Sequence, residues 1–147
     1  MQAIFEQYQE QPVIEPPRYI LVIKSSQTEL KRVEIFLREI FTAHMLPESC
    51  FNKSLLCLSE AIVNSIVHGN KNVLHKEIKV KVDCLTHSLV ISVTDEGEGF
   101  DLEEVPDPTS VENIKKESGR GIHIIKTLSN SVEFNKRGNS LQFKILC

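Results

Sequence analysis

The sequence predicts an α/β (α+β) two-layer sandwich, with helices on one face of a mixed, mostly antiparallel sheet. Three observations predict it. Short segments alternate apolar and polar residues with the period of a half-buried strand. Two long stretches with helical spacing separate the first such segment from the next, and a third stretch precedes the last two. The resulting order is strand, two helices, two strands, loop, helix, two strands. At 147 residues the chain is long enough for one domain with a core of its own.

Each element has a local cause. Residues 1–17 are rich in Gln, Glu and Pro and read as a tail, with room for a short helix over 4–8. The folded domain is expected over 18–147. Residues 19–24 set Tyr19, Leu21 and Ile23 against Ile20, Val22 and Lys24, a strand pattern. Over 27–44, Leu30, Val33, Leu37, Ile40 and Phe41 recur at helical spacing. Pro47 opens the next helix. It runs to about Gly69, where Gly69 and Asn70 supply C-cap chemistry. Residues 78–82 and 89–95 are strands joined through a turn at Thr86, His87 and Ser88. Residues 96–118 form a long, acidic, Pro-containing loop, a length that usually accompanies function or mobility. A helix carrying Ile122, Ile125 and Leu128 begins near Gly119. Residues 131–135 and 140–146 close a hairpin around Gly138-Asn139.

Composition removes several functions. Lys and Arg number 17 against 20 Asp and Glu, a formal net charge of −3. The basic residues form only short pairs, Lys115-Lys116 and Lys136-Arg137, not the stripe that phosphate backbones require, so no nucleic-acid partner is expected. No apolar run approaches the length of a membrane span. No basic start followed by an apolar stretch marks a signal peptide. Cys50, Cys57, Cys84 and Cys147 fall at no metal-like spacing and are expected as reduced thiols of a cytoplasmic protein.

Three constellations carry chemistry. The first is SEAIVNSIVHGN. A step of four residues turns about 40° around a helix, so Glu60, Asn64 and His68 form one polar stripe. Leu55, Leu58, Ile62 and Ile66 lie on roughly the opposite face. Mg²⁺ takes oxygen ligands, keeps several waters and shares phosphate oxygens, so the Asn64 amide can be its one direct protein contact. Glu60 can accept a proton from an attacking hydroxyl. The same stripe also fits an exposed helix face with ordinary polar residues, and His68 also fits a capping or packing role.

The second is a strand whose apolar face, Leu89, Ile91 and Val93, ends in Asp95. A buried carboxylate needs donors, and the exocyclic amine of adenine is one. Gly97 and Gly99 follow; glycine permits positive φ and lets a planar ring lie against the backbone. The same letters also fit a plain Asp-Gly turn. The third is Ser118-Gly119-Arg120-Gly121-Ile122, where the last helix starts. A helix N-terminus offers unpaired N–H groups to phosphate. Arg120, Lys115 and Lys116 can add charge there, and the two lysines equally fit a solvated face. No P-loop occurs, and no GxGxxG follows a strand.

Taken in order, Glu60-x-x-x-Asn64, Asp95-x-Gly97-x-Gly99 and Gly119-x-Gly121 resemble the motifs of the Bergerat-fold (GHKL) ATPases, over about residues 19–146. Within them the chain resembles the anti-sigma factor serine kinases. The resemblance implies an ATP-binding domain of the histidine-kinase-like type using ATP and Mg²⁺. It puts Glu60 at the general base and Asn64 at the Mg²⁺ position. Asp95 takes the adenine, Gly97 and Gly99 shape its pocket, and Gly119, Arg120 and Gly121 stand at the phosphate side, with His68 and Ile122 beside them. Residues 100–118 would be the ATP lid. The acidic stretch Asp101 to Pro108 would repel triphosphate, so its acidic side chains are expected to face outward or toward a partner. The basic residue that some relatives supply from the first helix has three candidates, Lys31, Arg32 and Arg38.

The implied activity is a protein serine kinase that phosphorylates an anti-anti-sigma protein and can hold a sigma factor, with homodimers frequent. Two other functions share the pocket. One is a nucleotide-gated anti-sigma module with slow or no turnover. The other is the catalytic half of a split histidine kinase, although none of His44, His68, His75, His87 and His123 lies in a phospho-accepting hairpin.

Overall fold

The computed structural model describes residues 15–98 and 117–147, with only the backbone of 117–119. Strand β1 (Arg18–Lys24) leads through a 3₁₀ turn (Gln27–Glu29) into helix α1 (Leu30–Ala43). Helix α2 (Glu48–Asn64) follows, with Pro47 at its N-cap, and continues without a break as a π turn (Ser65–Gly69). Then come β2 (Glu77–Cys84), β3 (Ser88–Asp95), helix α3 (Glu117–Leu128), β4 (Ser131–Phe134) and β5 (Ser140–Leu146). The expected element order is borne out. Of the expected tail over 1–17, only residues 15–17 are described; most of the expected lid over 100–118 and Gly99 lie outside the described residues.

The sheet has the order β1-β2-β3-β5-β4. Its pairings are antiparallel throughout, so it is not the mixed sheet expected. No parallel neighbour arises among the described residues because β2, after two intervening helices, returns beside β1 in the opposite sense, and β5 lies beside β3 likewise.

Strand alternation sends Ile23, Val80, Ile91, Val93, Phe143 and Ile145 to one face, where they are buried beneath the helices. The other face carries Ile20 (53% exposed) and Val22 (45%) uncovered. Helix α1 contributes Val33, Leu37, Ile40 and Phe41 to the core; α2 contributes Phe51, Leu58 and Ile62. The α2 and π segment together, Glu48–Gly69, runs 22 residues, and its most apolar 18-residue window has a mean hydropathy of 1.2, so it passes for a span by length and composition. Half of that window is buried inside the domain, as befits a helix packed across a sheet.

Two expectations need correction. Cys50 and Cys147 are joined as a disulfide, so they are not the free thiols anticipated. Helix α2 starts alongside the end of β5, which brings their Cα atoms to 5.7 Å across 97 positions of sequence, a proximity that spacing alone cannot reveal. Cys57 and Cys84 are free and buried, as expected of thiols, and burial pushes the Cys57 thiol up to about 11. Second, α3 is already helical at Glu117, so Gly119 and Gly121 lie inside its first turns.

Candidate functional site

Two members of the expected polar stripe, Asn64 and His68, meet the end of the central strand, and Glu60 does not. Asn64 and Asp95 line one cleft of about 540 Å³, open mouth included. His68, Gly69, Lys71 and Glu98 share it, and Ala61, Val93 and Leu141 add apolar surface. An apolar surface with a few converging polar groups is the usual form of a small-molecule site.

Helix α2 delivers Asn64 at its last turn, and the π turn then changes the phase of the chain. In a regular helix His68 would stand over Asn64. In the wider turn His68 is exposed while Ser65 is buried and bonds to the Asp95 carboxylate. Single π turns inside helices often occur at functional positions.

The Asn64 Oδ1 atom is buried and has no hydrogen-bond partner among the described residues. A buried acceptor left unpaired costs about 1–3 kcal/mol, so its persistence calls for an explanation. A hard cation is one, because an amide oxygen is a suitable Mg²⁺ ligand. The residue present therefore fits the metal implied by the motif.

Asp95 Oδ1 accepts from Gly97 N at 2.8 Å, and the strand end is strapped to the β4–β5 hairpin through Asp95 N to Asn139 O at 2.9 Å. Burial raises the Asp95 pKa above the ordinary carboxylate value, against the lowering effect of the Gly97 N–H and the Ser65 hydroxyl. An exocyclic amine in the cleft would give this carboxylate a donor.

The glycines act through space, not through left-handed backbone. Gly138 alone among the described glycines has positive φ (80°). A Cβ on Gly97 would lie 2.3 Å from Gly69 O, and one on Gly69 would lie 2.1 Å from Asp95 Oδ2. The positive φ anticipated for Gly97 is absent because the tight constraint there is the approach of two loops. The left-handed positions after the helix fall instead on Lys71 (φ 52°) and Asn72 (φ 62°), past the Gly69-Asn70 cap anticipated.

Glu60 does not line this cleft. A Cβ on Gly121 would lie 3.1 Å from Glu60 Oε2, so Gly121 lets α3 approach that carboxylate closely. Arg120 is exposed beside it and Ile122 is buried. Gly119 lies in the first turn of α3. Lys31, Arg32 and Arg38 pair with Glu34, Glu29 and Glu48 respectively. Sequence reasoning missed Ser65 entirely, took Asn139 only for a hairpin turn residue, and took Gly69 and Asn70 for a cap. The one available signal was the density of small and amide residues between Asn64 and Asn70.

Comparison with known proteins agrees with this fold. The anti-sigma F factor of Oceanobacillus iheyensis is 35% identical over 79 residues, 52% of this chain and 53% of that protein. That of Clostridium beijerinckii is 27% identical over 129 residues, 84% of this chain and 87% of that protein. The matched stretch thus spans only about half the length of the first relative. In three dimensions the chain resembles the RsbU and RsbW domains of a Mycobacterium tuberculosis protein, with a TM-score of 0.61 at 15% identity. That likeness covers 88% of this chain and 31% of the other, and it is one of fold. Residues 23–145 match the histidine kinase-like ATPase domain, most of the chain. The chain belongs to that family.

Proposed function

We propose that the protein is an ATP-dependent serine kinase and anti-sigma regulatory factor acting on an anti-anti-sigma partner. The observation that carries it is the meeting of an unpaired buried amide oxygen on Asn64 with the buried Asp95 carboxylate in one cleft. Asp95 accepts from the adenine amine while the ring lies toward Ala61, Val93 and Leu141. Asn64 would hold Mg²⁺, which when bound supplies charge neutralisation at the β- and γ-phosphates. Gly119, Arg120 and Gly121 stand at the phosphate side, and Glu60 accepts the proton of the partner's serine hydroxyl. The similarity to anti-sigma F factors supports a sigma factor as a second partner. A cytoplasmic location accords with these partners.

One observation favours a second reading, a nucleotide-gated anti-sigma module without transfer. Glu60 sits against α3 at Gly121 and outside the lining of the cleft, so nucleotide can be held without engaging it. Incubating the protein and its anti-anti-sigma partner with γ-labelled ATP and Mg²⁺ separates the two. On the kinase reading, label reaches a partner serine and Glu60→Gln abolishes transfer while ATP still binds. Unlabelled partner with intact ATP binding would leave the gated module, and absence of Mg-ATP binding would remove both.

A further inference from the structure

Asn70 follows the π turn and is absent from the lining of the cleft. Its side chain is wholly buried, 0% exposed, and its hydrogen bonds join separate parts of the chain. Nδ2 donates to Ser25 Oγ, just past β1, and to Glu77 O, at the start of β2, both at 3.2 Å. Oδ1 accepts from Glu96 N at 2.9 Å, immediately after β3. Its backbone N donates to Ser65 O at 2.7 Å, inside the π turn. Ser25 is itself fully buried and donates its backbone N–H to Lys76 O. Glu96 returns a contact, its carboxylate accepting from Glu77 N.

Glu96 lies between Asp95 and Gly97, so holding its N–H fixes the backbone on both sides. The tolerance there is small, because Gly69, Asp95 and Gly97 are nested too closely to admit a Cβ at either glycine. We propose that Asn70 is a positioning residue for base recognition: its amide sets the distance between the π turn and the Asp95–Gly97 loop, and thereby aims the Asp95 carboxylate. The proposal rests on the reading of Asp95 as the adenine-amine acceptor.

The chemistry singles out an amide. Two donors and one acceptor are needed at once, and asparagine supplies them at this length. Aspartate keeps an acceptor for Glu96 N but sets an oxygen against the carbonyl of Glu77. Serine is too short to span Ser25, Glu77 and Glu96 together.

The test compares ATP with purine riboside triphosphate, which differs by lacking the 6-amino group, on the full chain with Mg²⁺. The ratio of their affinities isolates recognition of the amine from general loss of binding. Wild type should prefer ATP by about tenfold or more. Asp95→Ala should bring the ratio close to one. Asn70→Asp and Asn70→Ser should also bring it close to one, with binding of the amine-free analogue retained. A collapsed ratio in Asp95→Ala beside a wild-type ratio in folded Asn70 variants overturns the proposal while leaving the adenine reading intact. An unchanged ratio in Asp95→Ala overturns the adenine reading itself. Hydrogen exchange keeps the idea testable if the variants do not fold. The Glu96 N–H should be protected in the wild-type protein before nucleotide is added, and rapid exchange there overturns the proposal.

Discussion

The two ends of the segment from Glu48 to Gly69 are built differently. At the N-terminal end the surroundings are satisfied. Arg38 donates twice to Glu48, at 2.6 and 2.9 Å, and its guanidinium stands 3.5 Å from the centre of the Phe51 ring. Phe51 meets Phe41 edge-on, and Cys50 is bonded to Cys147. At the C-terminal end the chain leaves α-helical geometry, strands a buried acceptor on Asn64, raises a carboxylate pKa at Asp95 and puts Lys71 and Asn72 in left-handed backbone. Each of these departures costs free energy. The first end therefore supplies stability that the second uses, and unsatisfied chemistry is confined to where a ligand can satisfy it.

The largest expected effect tests the satisfied end. The disulfide closes a sequence separation of 97, for which chain entropy suggests about 4–5 kcal/mol. Reducing it, or replacing Cys147 by Ser, should lower the urea midpoint by a corresponding amount and leave ATP affinity within about twofold of the oxidised protein. A large loss of ATP affinity on reduction would break the comparison by showing that the two ends are coupled. Gly97→Ala tests the other end. Its Cβ meets a backbone oxygen that cannot swing away, so overpacking of about 1–3 kcal/mol is expected, with ATP affinity down by about tenfold or more. Normal ATP binding by this variant would show that the loops are not as closely constrained as their contacts indicate.

Asn64→Ala sharpens the contrast further. Removing an unpaired buried acceptor should leave the stability of the nucleotide-free protein within about 1 kcal/mol of wild type, or raise it. The Mg²⁺-dependent part of ATP binding should disappear. Denaturation and titration with and without Mg²⁺ measure the two effects separately. A marked fall in stability without nucleotide would mean that the amide is a structural group after all.

How much of this could be read beforehand follows the same division. The alternation in 19–24, 78–82 and 89–95 and the helical spacing of Val33, Leu37 and Ile40 record burial directly, so strands, helices and core were legible. The apolar strand face ending at Asp95 and the inward position of Asn64 were legible for the same reason, whereas the full Glu60-Asn64-His68 stripe was not, because Glu60 lies outside the cleft lining and the π turn shifts the phase after Asn64. What was not legible depends on distance between remote residues or on a change of helical phase. Nothing in Ser65–Gly69 announces a π turn, and with it Ser65 replaces His68 as the residue turned toward Asp95. The nesting of Gly69 with Gly97, the five hydrogen bonds of Asn70 and the Cys50–Cys147 link join residues between three and 97 apart in sequence, most of them across different elements.

The smallest expected effect belongs to Asp95, and it has a definite sign. Burial raises the carboxyl pKa in the folded protein above its ordinary unfolded value of 3.8. The neutral acid is therefore the form that folding favours. Its contribution to stability is full below the unfolded value and is lost as pH rises through the raised folded value. Without nucleotide, Asp95→Asn should thus gain on wild type at neutral pH, and the gap should close as the solution is acidified toward the ordinary carboxylate range. Ligand binding runs the other way, because acceptance from an adenine amine favours the ionised group. ATP affinity of the wild-type protein should fall as pH drops through the raised value. Paired urea titrations of the two proteins across this range, with ATP binding measured alongside, test both signs. A stability gap that widens in acid would mean that Gly97 N–H and Ser65 outweigh burial, and the C-terminal end would then be as fully satisfied at Asp95 as the N-terminal end is at Glu48.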